Sequence, residues 1–486
     1  MVLGNRQVSR VGLALFGVMA LVCSACGSML SHRQLVAADR RGAGGDSSGA
    51  SSGFGLGSAA AADGAGAGGV AGGAGSAAPG GSASGTGSAG ATGAGTGSGT
   101  AAVPAGGNGG ATDVGVTATS ISLGTVVTLT GPVPGLFRGA ALGVQACVAR
   151  VNSEGGIFGR KLNDVVADDQ FNQNQNRAQT AQLAPKVFAF TGSFSVYDGG
   201  MADTLKAQNV PDIGEALPGP RADLTQHFDP QPNPPGWITG PFAWLKAKYP
   251  DAVGAVGNIT SDVPSALTEW KAAKQAMLSQ GYKVSYEGTY EAGQTDFTAD
   301  VLRMKSAGVK FLYIVGDQAT YERFLQGAHQ QGWKPEVVNL ISNAYDPTFI
   351  AAAGADIAEG VIVSSQLALY DGEDAGSIPE INTMLGWFDR IQRGYKPDVF
   401  ALYGWLSCEM FTDAAKVVGP RLTRPALLAQ MAKLTRYDGN GIVGVGNPAQ
   451  KVPTTCYLVY QVRGGKWVRL DPAQGFRCDG QYLYLK

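Results

Sequence analysis

A run rich in β-branched residues, Ile121-Ser-Leu-Gly-Thr-Val-Val127, ends in the turn-forming residues Thr128-Leu-Thr-Gly-Pro132. These two segments predict a strand that leads into a turn. Apolar residues then recur at spacings of three and four, at Leu136, Ala140, Val144, Cys147, Val148 and Val151. This spacing predicts a helix with one apolar face, and the segment Asn152-Ser-Glu-Gly-Gly156 ends it.

The same alternation of strand and helix continues to residue 341. Further strands are predicted at 161–167, 186–190, 211–214, 252–256, 283–287, 311–315 and 337–341. Helices are predicted between them at 175–183, 197–208, 241–248, 265–280, 297–307 and 319–331. Strands separated by helices indicate right-handed βαβ units and parallel sheets. Six prolines between residues 218 and 235 interrupt the pattern, and we interpret that stretch as a crossing between two lobes.

Composition separates the N-terminal part of the chain from the rest. Between residues 42 and 112, 27 of 71 residues are Gly, and no Lys or Arg occurs between Arg41 and Arg138. Such a segment buries too little apolar surface to fold, so we expect residues 26–112 to form a disordered tether rich in Gly, Ala and Ser. The remainder is longer than one average domain and suits two lobes.

The charge balance bears on the partners. The chain of 486 residues has 37 Lys and Arg against 38 Asp and Glu. A balance so near zero argues against nucleic acid and against an anionic membrane surface as partners.

The N-terminus has the pattern of an export signal. Arg6 and Arg10 precede the apolar run 11–22, which is long enough for a signal peptide and short for a membrane span. The following Cys23-Ser-Ala-Cys-Gly27 resembles the lipobox of bacterial lipoproteins, which implies a signal peptide over residues 1–25 and a lipidated Cys26. The protein is then expected outside the cytoplasm, anchored to the outer face of the cell membrane through lipid alone. An ordinary secretory signal is the alternative.

Several short motifs follow one another in order along the predicted strands and helices. They are Gly131-Pro132, Gly139-Ala-Ala141, the segment 152–162, Asp168-Asp169, Asn209-Val-Pro211, Asp296-Phe-Thr298 and Ser306-Ala-Gly-Val-Lys310. In this order they resemble solute-binding proteins of the branched-chain amino-acid type, which have the type I periplasmic-binding fold. The resemblance extends from residue 114 to residue 470.

The resemblance implies an α/β architecture of two Rossmann-like lobes with parallel sheets, joined by three crossings. Lobe 1 would comprise residues 113–225 and 370–445, and lobe 2 residues 237–362 and 455–486. The crossings are expected near 219–237, 361–370 and 441–455. The family also implies an ABC permease and an ATPase as separate partner proteins, and we expect a monomer. The C-terminal runs 456–462 and 467–470 flank two glycines and predict a hairpin.

Ligands of open parallel sheets bind beyond the carboxyl ends of the strands, which selects the candidate contacts. In lobe 1 these are Ser193, Phe194, Ser195 and Glu215, and in lobe 2 they are Thr260, Ser261, Asp317, Gln318, Asn343 and Tyr345. For an amino acid, Ser193 and Ser195 would hold the carboxylate beside backbone N–H groups, and Glu215 or Asp317 the ammonium. The serines and Asp317 equally suit helix caps, while Glu215 and Tyr345 suit the rim of a cleft. Thr260-Ser261 stands where the family often has an aromatic residue, which questions a branched-chain amino acid as ligand.

Four cysteines remain beyond the leader in a compartment expected to be oxidising. Cys456 and Cys478 lie 22 residues apart around the predicted hairpin, and we expect a disulfide between them. Cys147 and Cys408 lie on apolar helix faces that the family topology places in lobe 1, so a second bridge and buried free thiols are both open.

Features of an enzyme are scarce. The chain has 3 His and no HExxH motif, no Cys/His cluster and, outside the tether, no phosphate loop, so we expect no catalytic residues, no metal and no cofactor. We therefore predict the extracytoplasmic solute-binding component of an ABC importer, which captures a small polar solute, an amino acid or amide-like compound, between two closing lobes. A receptor of the same fold that signals without transport is the alternative.

Overall fold

The computed structural model describes residues 29–30 and 106–485. The predicted signal peptide, Cys26 and most of the predicted tether lie outside these residues. The strands are β1 Met29–Leu30, β2 Ser120–Val127, β3 Lys161–Asp168, β4 Ala189–Thr191, β5 Asp212–Ile213, β6 His227–Phe228, β7 Gly236–Ile238, β8 Val256–Ser261, β9 Val284–Tyr290, β10 Phe311–Val315, β11 Val337–Leu340, β12 Ile362–Ser365, β13 Leu458–Arg463, β14 Lys466–Asp471 and β15 Tyr482–Tyr484.

The helices lie between these strands in the alternation that the sequence predicts. They are α1 Arg138–Ser153, α2 Gln173–Leu183, α3 Ala202–Gln208, α4 Gly240–Lys248, α5 Pro264–Ser279, α6 Thr298–Ser306, α7 Gln318–Gln330, α8 Phe349–Ala353, α9 Ala355–Ala358, α10 Pro379–Ile391, α11 Val399–Val418 and α12 Arg424–Met431. Four of them carry a proline in the first turn, where the missing N–H breaks no helical hydrogen bond; these are α4, α5, α10 and α12.

Two sheets form the centres of two lobes. The sheet of lobe 1 has the strand order β1-β3-β2-β4-β5-β6, with β2 to β6 parallel and β1 antiparallel at the edge. The sheet of lobe 2 has the order β14-β13-β12-β11-β10-β8-β9, in which β8 to β12 are parallel. The predicted hairpin is confirmed as β13 and β14, joined at Gly464-Gly465, where both residues have positive φ. The α/β fold of two lobes with parallel sheets is confirmed.

One predicted strand in lobe 2 was wrong. The strand lies at Val256–Ser261 instead of 252–256, and all six of its residues are buried. Its polar residues satisfy one another inside the sheet, since Thr260 Oγ1 donates to Asn258 Oδ1 (2.7 Å) and Asn258 Nδ2 donates to the Tyr313 carbonyl (3.0 Å). These buried polar side chains made a central strand resemble a loop.

The proline-rich crossing also begins later than predicted, because β6 lies within the stretch 219–237. Polar side chains connect β6 to the neighbouring β5. His227 Nδ1 lies 2.7 Å from Asp212 Oδ2. Arg221, which is fully buried, donates from Nε and Nη2 to the same carboxylate at 2.8 and 3.0 Å. Burial opposes ionisation of Asp212, yet these two partners outweigh it and hold the pKa of its carboxyl well below the usual range.

Three crossings connect the lobes, and they lie side by side. Gln231 in the first crossing donates from Nε2 to Gln366 Oε1 in the second at 2.6 Å. The third crossing joins them through the Gly444 N–H, which donates to the Gln366 carbonyl at 2.8 Å. Gln366 therefore links all three segments at the point where a hinge between the lobes would bend.

Helices α1 and α11 form the tightest packing in lobe 1. A Cβ added at Gly143 would overlap the Ala401 carbonyl, and one added at Gly404 would overlap the Ala140 carbonyl. The glycines thus let the two helix backbones touch. One turn beyond them, Cys147 and Cys408 form a disulfide with a Cα–Cα distance of 6.1 Å, which decides between the bridge and the free thiols.

The second predicted disulfide, Cys456–Cys478, is also confirmed. It joins the residues before β13 to the C-terminal segment that leads into β15. That last strand pairs antiparallel with β7, so the end of the chain is held against the first crossing.

The ordered part of the chain starts ahead of the expected boundary at residue 113. Asn108 Nδ2 donates to the Ala118 and Phe158 carbonyls at 2.8 and 3.0 Å. The fully buried Arg160 guanidinium donates to the carbonyls of Asn108 and Gly110. Residues from 106 onward therefore belong to the folded body and not to the tether.

Candidate functional site

A cavity of about 210 Å³ lies between the lobes at the carboxyl ends of their strands. Lobe 1 contributes Phe194 and Glu215, which follow β4 and β5, and lobe 2 contributes Ser261 at the end of β8. Gln231 and Gln366 of the linked crossings complete the wall. The cavity is thus bordered by both lobes and by the segments that would bend as they close.

Aromatic side chains form much of the wall. They are Phe137, Phe171, Phe194, Trp237, Phe242, Tyr290, Tyr313, Phe400, Tyr403, Tyr457 and Tyr482. On the lobe 1 side, the Phe137 ring packs edge-on against Phe194 and Phe400, with centroids 4.8 and 4.7 Å apart. Tyr403 stacks on Phe194 with centroids 6.0 Å apart. Such a wall favours a ligand with an apolar body.

Glu269 brings a carboxyl from α5 into this aromatic wall. Burial raises its pKa to about 7. Within the described residues no hydrogen bond or ion pair joins this carboxyl to another side chain. The Glu269 carboxyl is therefore available to bind a ligand.

Glu215 brings a second carboxyl to the cavity from the lobe 1 side. The residue is 4% exposed, and its Oε2 has no hydrogen-bond partner among residues 106–485. Burial, followed by the charge of the neighbouring Asp229, raises the pKa of Glu215 well above its usual range. Arg221 acts in the opposite direction, and it donates to the Glu215 backbone carbonyl at 3.1 Å.

The described lining carries three acidic side chains and no basic one. The acids are Glu215, Glu269 and Asp317, and Lys, Arg and His are absent from this part of the cavity wall. Other buried polar atoms on the wall have no partner among the described residues; these are Ser265 Oγ, Tyr290 Oη, Tyr313 Oη, Ser364 Oγ and Gln231 Oε1. The cavity therefore combines apolar surface with unpaired acceptors and a few hydroxyl donors.

Five of the ten predicted contact residues line this cavity. They are Phe194, Glu215, Ser261, Asp317 and Asn343. The other five do not, and they are Ser193, Ser195, Thr260, Gln318 and Tyr345.

The two serines proposed for a carboxylate lie inside lobe 1. Ser193 is fully buried and its Oγ accepts from the Val126 N–H at 3.0 Å. Ser195 is 1% exposed, and its Oγ accepts from the Tyr197 N–H at 3.0 Å, which closes the turn that follows. Both hydroxyls therefore hold the loop after β4 in place and are turned away from the cavity.

The remaining predicted residues serve neighbouring structure. Thr260 bonds within β8, as described above, and Gln318 Nε2 donates to Glu322 Oε1 at 2.8 Å and to Thr348 Oγ1 at 2.6 Å. The Tyr345 hydroxyl donates to Glu373, and its ring packs edge-on against Tyr370 and Trp467. Asn343 lines the cavity, yet its Nδ2 donates to the Gly316 carbonyl at 2.8 Å.

Asp317 both lines the cavity and caps α7. Its Oδ1 accepts from the Thr320 N–H and its Oδ2 from the Thr320 hydroxyl, each at 3.0 Å. We expect Asp317→Ala to lower the free energy of unfolding by about 1 kcal/mol, because the first turn of α7 loses its acceptor. Urea denaturation would measure the loss. Asp317→Asn, which keeps an acceptor oxygen, should stay near the wild type, and an equal loss in both variants would contradict the capping role.

Sequence reasoning missed Glu269, Phe400 and Tyr403. All three lie within helices, whereas the search was confined to residues that follow strands. Glu269 had one signal, an acid beside the buried Trp270 on a helix whose other buried residues are small or apolar. Phe400 and Tyr403 enter the site only because α11 returns to lobe 1 from far along the chain.

No group of three or more His, Cys, Asp and Glu in residues 106–485 is arranged to hold a metal ion. In the same part of the chain, no helix is both long enough and apolar enough to cross a membrane.

A protein-family model and the sequences of individual proteins both match most of this chain. The protein-family model described as periplasmic binding protein matches residues 120–466. The Leu/Ile/Val-binding protein homolog 1 of Brucella melitensis is 24% identical over 382 residues, which cover 75% of this chain and 93% of that protein.

Two solved structures show the same fold. A fatty acid ABC transporter substrate-binding protein from Thermomonospora curvata has a TM-score of 0.65 at 18% identity, and the match covers 76% of this chain and 94% of that one. A branched-chain amino acid transporter substrate-binding protein from Streptococcus pneumoniae, in complex with isoleucine, has a TM-score of 0.60 at 18% identity, with coverage of 73% and 100%. Since the family model spans the parallel strands of both lobes, the chain belongs to the periplasmic binding protein family.

Proposed function

We propose that this protein is the extracytoplasmic solute-binding component of an ABC importer, held to the outer face of the cell membrane through lipid on Cys26. The observation that supports the proposal is the cavity, whose wall comes from both lobes and from the linked crossings. Its relatives are solute-binding proteins and not enzymes.

The mechanism that follows is a hinge closure. A solute that contacts Phe194 on lobe 1 and Tyr313 on lobe 2 at once stabilises the closed arrangement, because the open one offers it only one wall. The three crossings beside Gln366 supply the bending segments. The closed form is the one that a permease and its ATPase would recognise.

The side chains of the cavity wall also restrict the chemical class of the solute. A small polar solute, such as an amino acid or an amide, needs polar partners, and the unpaired oxygens of Glu215 and Glu269 provide them. The aromatic rings require that the same solute also carry an apolar portion. The relatives named for branched-chain amino acids and for fatty acids fit a solute with such a portion.

A thermal-shift screen tests the proposal on the purified full chain. We expect a selective rise in Tm with one class among amino acids, amines, amides and apolar carboxylic acids, since ligand at about 100 times Kd stabilises a fold by about 2.7 kcal/mol. Ala266→Trp fills the cavity from α5 and should abolish the shift. Leu267→Trp is the matched control, because that side chain is 40% exposed on the same helix, and it should keep the shift. A shift that survives Ala266→Trp would place the ligand elsewhere and overturn the cavity as its site.

A further inference from the structure

Two cavity carboxyls lie on opposite lobes, and no basic side chain lines the described wall. Glu215 follows β5 in lobe 1 and Glu269 lies on α5 in lobe 2. Glu215 is buried with an unpaired Oε2, and the charge of the neighbouring Asp229 adds to burial in raising the pKa of Glu215. Arg221 is occupied by Asp212 and Asp198, so it supplies no free cation to the cavity.

The two carboxyls share one neighbourhood. The phenols of Tyr403 and Tyr482 lie within electrostatic reach of both, and burial together with the charges of Glu215 and Glu269 raises the pKa of each phenol. Tyr403 and Tyr482 both line the cavity. A ligand in the cavity therefore has both acids in the wall around it.

A buried carboxylate is costly unless a cation neutralises it. The described wall contains no basic side chain, so a positive charge on the ligand would be the group that holds both acids ionised. Aromatic faces attract a cation as well, and the rings of Phe194 and Tyr313 surround the same space. A ligand carboxylate would meet no basic side chain there, and the hydroxyls of Ser193 and Ser195 are already committed within lobe 1.

We propose that the ligand is an organic ammonium compound, with a short alkyl or aryl body and no carboxylate, whose nitrogen lies between Glu215 and Glu269. The inference rests on the proposed function, because it names the class of solute that the same cavity takes. The ammonium donates to the two carboxylates from opposite lobes, and the apolar body packs on the rings. The cation then acts as the contact that draws the lobes together.

Three ligands that share an aromatic body but carry different charged groups test whether a positive charge on the ligand determines binding. Phenethylamine, phenylalanine and phenylacetate are titrated into the full chain by calorimetry at pH 8. We expect the amine to bind at least tenfold more tightly than the amino acid, and the acid to bind most weakly of the three. Phenylalanine or phenylacetate binding more tightly than the amine would overturn the ammonium assignment, and so would the absence of amine binding.

Variants separate the role of each acid. Glu269→Gln and Glu215→Gln keep the side-chain shape, and each should weaken amine binding at least tenfold while the chain unfolds cooperatively as before. Glu287→Gln is the control, since that acid lies on β9 in an ion pair with Lys274, outside the cavity wall. Amine affinity unchanged in both cavity variants would overturn the proposal. Binding of the acid or the amino acid that Ala266→Trp abolishes would leave the solute-binding function standing while the ammonium class falls.

Discussion

Replacing Gly404 with alanine is expected to lower the free energy of unfolding by about 3 kcal/mol, although alanine is the better helix former. The added Cβ would overlap the Ala140 carbonyl on α1, and both partners are backbone, so no side-chain rotation relieves the clash. The disulfide one turn further on, Cys147–Cys408, keeps the helices from separating. Gly143→Ala should have a similar effect, because its Cβ would overlap the Ala401 carbonyl.

Gly386→Ala provides the control for this prediction. Gly386 lies in α10, is exposed, and its added Cβ would meet nothing within 4 Å. The same substitution there should stabilise the protein by about 0.5–1 kcal/mol, as expected for glycine in a helix interior. Guanidinium denaturation of the three variants gives the comparison. Opposite signs at Gly404 and Gly386 support the close helix contact, whereas a gain at both positions would refute it.

Arg221→Met is expected to lower the free energy of unfolding by about 3–5 kcal/mol at pH 7, because it leaves buried carboxylates without their cation. Arg221 is fully buried and bonds to both oxygens of Asp212, to Asp198 and to the backbone carbonyls of Ser193 and Glu215. The loss would reach the cavity as well, since the last of these carbonyls belongs to a residue of its wall.

The pH dependence of this loss follows from Asp212. Its pKa in the folded protein lies well below the usual value, so its ion pair contributes stability above the pKa of the unfolded chain, about 3.9, and that contribution fades as the pH falls below it. Arg221→Met removes the contribution. The difference between variant and wild type should therefore be largest at neutral pH and shrink at pH 3.5.

Adding Asp212→Asn to Arg221→Met should recover part of the stability at pH 7, because it removes the uncompensated charge. Chemical denaturation at both pH values measures these differences. A constant difference across pH, or no recovery in the double variant, would show that Arg221 acts through packing and not through charge.

Much of the fold follows from patterns in the sequence. The strand at Phe311–Val315 is found where the apolar run predicts it, and helix α7 begins at Gln318, one residue before the predicted start. For α7, the spacing of the apolar residues and the capping acid predict the same start of the helix. Where a polar residue is satisfied inside a sheet, as Asn258 is by Thr260 and by the Tyr313 carbonyl of β10, the pattern misleads, because the partner on the neighbouring strand cannot be seen along the chain.

The site was less predictable than the fold. The rule that ligands lie beyond strand ends found Glu215 and Asp317, which do line the cavity. It also selected Ser193, whose hydroxyl turns inward to the Val126 N–H, because the rule places a residue without orienting its side chain. The positions of Glu269, Phe400 and Tyr403 depend on how their helices pack on distant parts of the chain, and a single sequence carries no record of those contacts.

The disulfide-linked contact between α1 and α11 has a consequence for the biosynthesis of the protein. Its two cysteines are separated by 261 positions, and the whole of the β8–β12 sheet region lies between them. A nascent chain emerges from its N-terminus, so α1 appears before its partner α11, and strands β8–β12 of lobe 2 are synthesised between them. Lobe 1 is thus completed only after β8–β12 of lobe 2 have been made, and the Cys147–Cys408 bridge cannot form before Cys408 emerges. During that interval the Cys147 thiol must not be oxidised to another cysteine, so the timing of bridge formation affects whether the chain reaches its native disulfide.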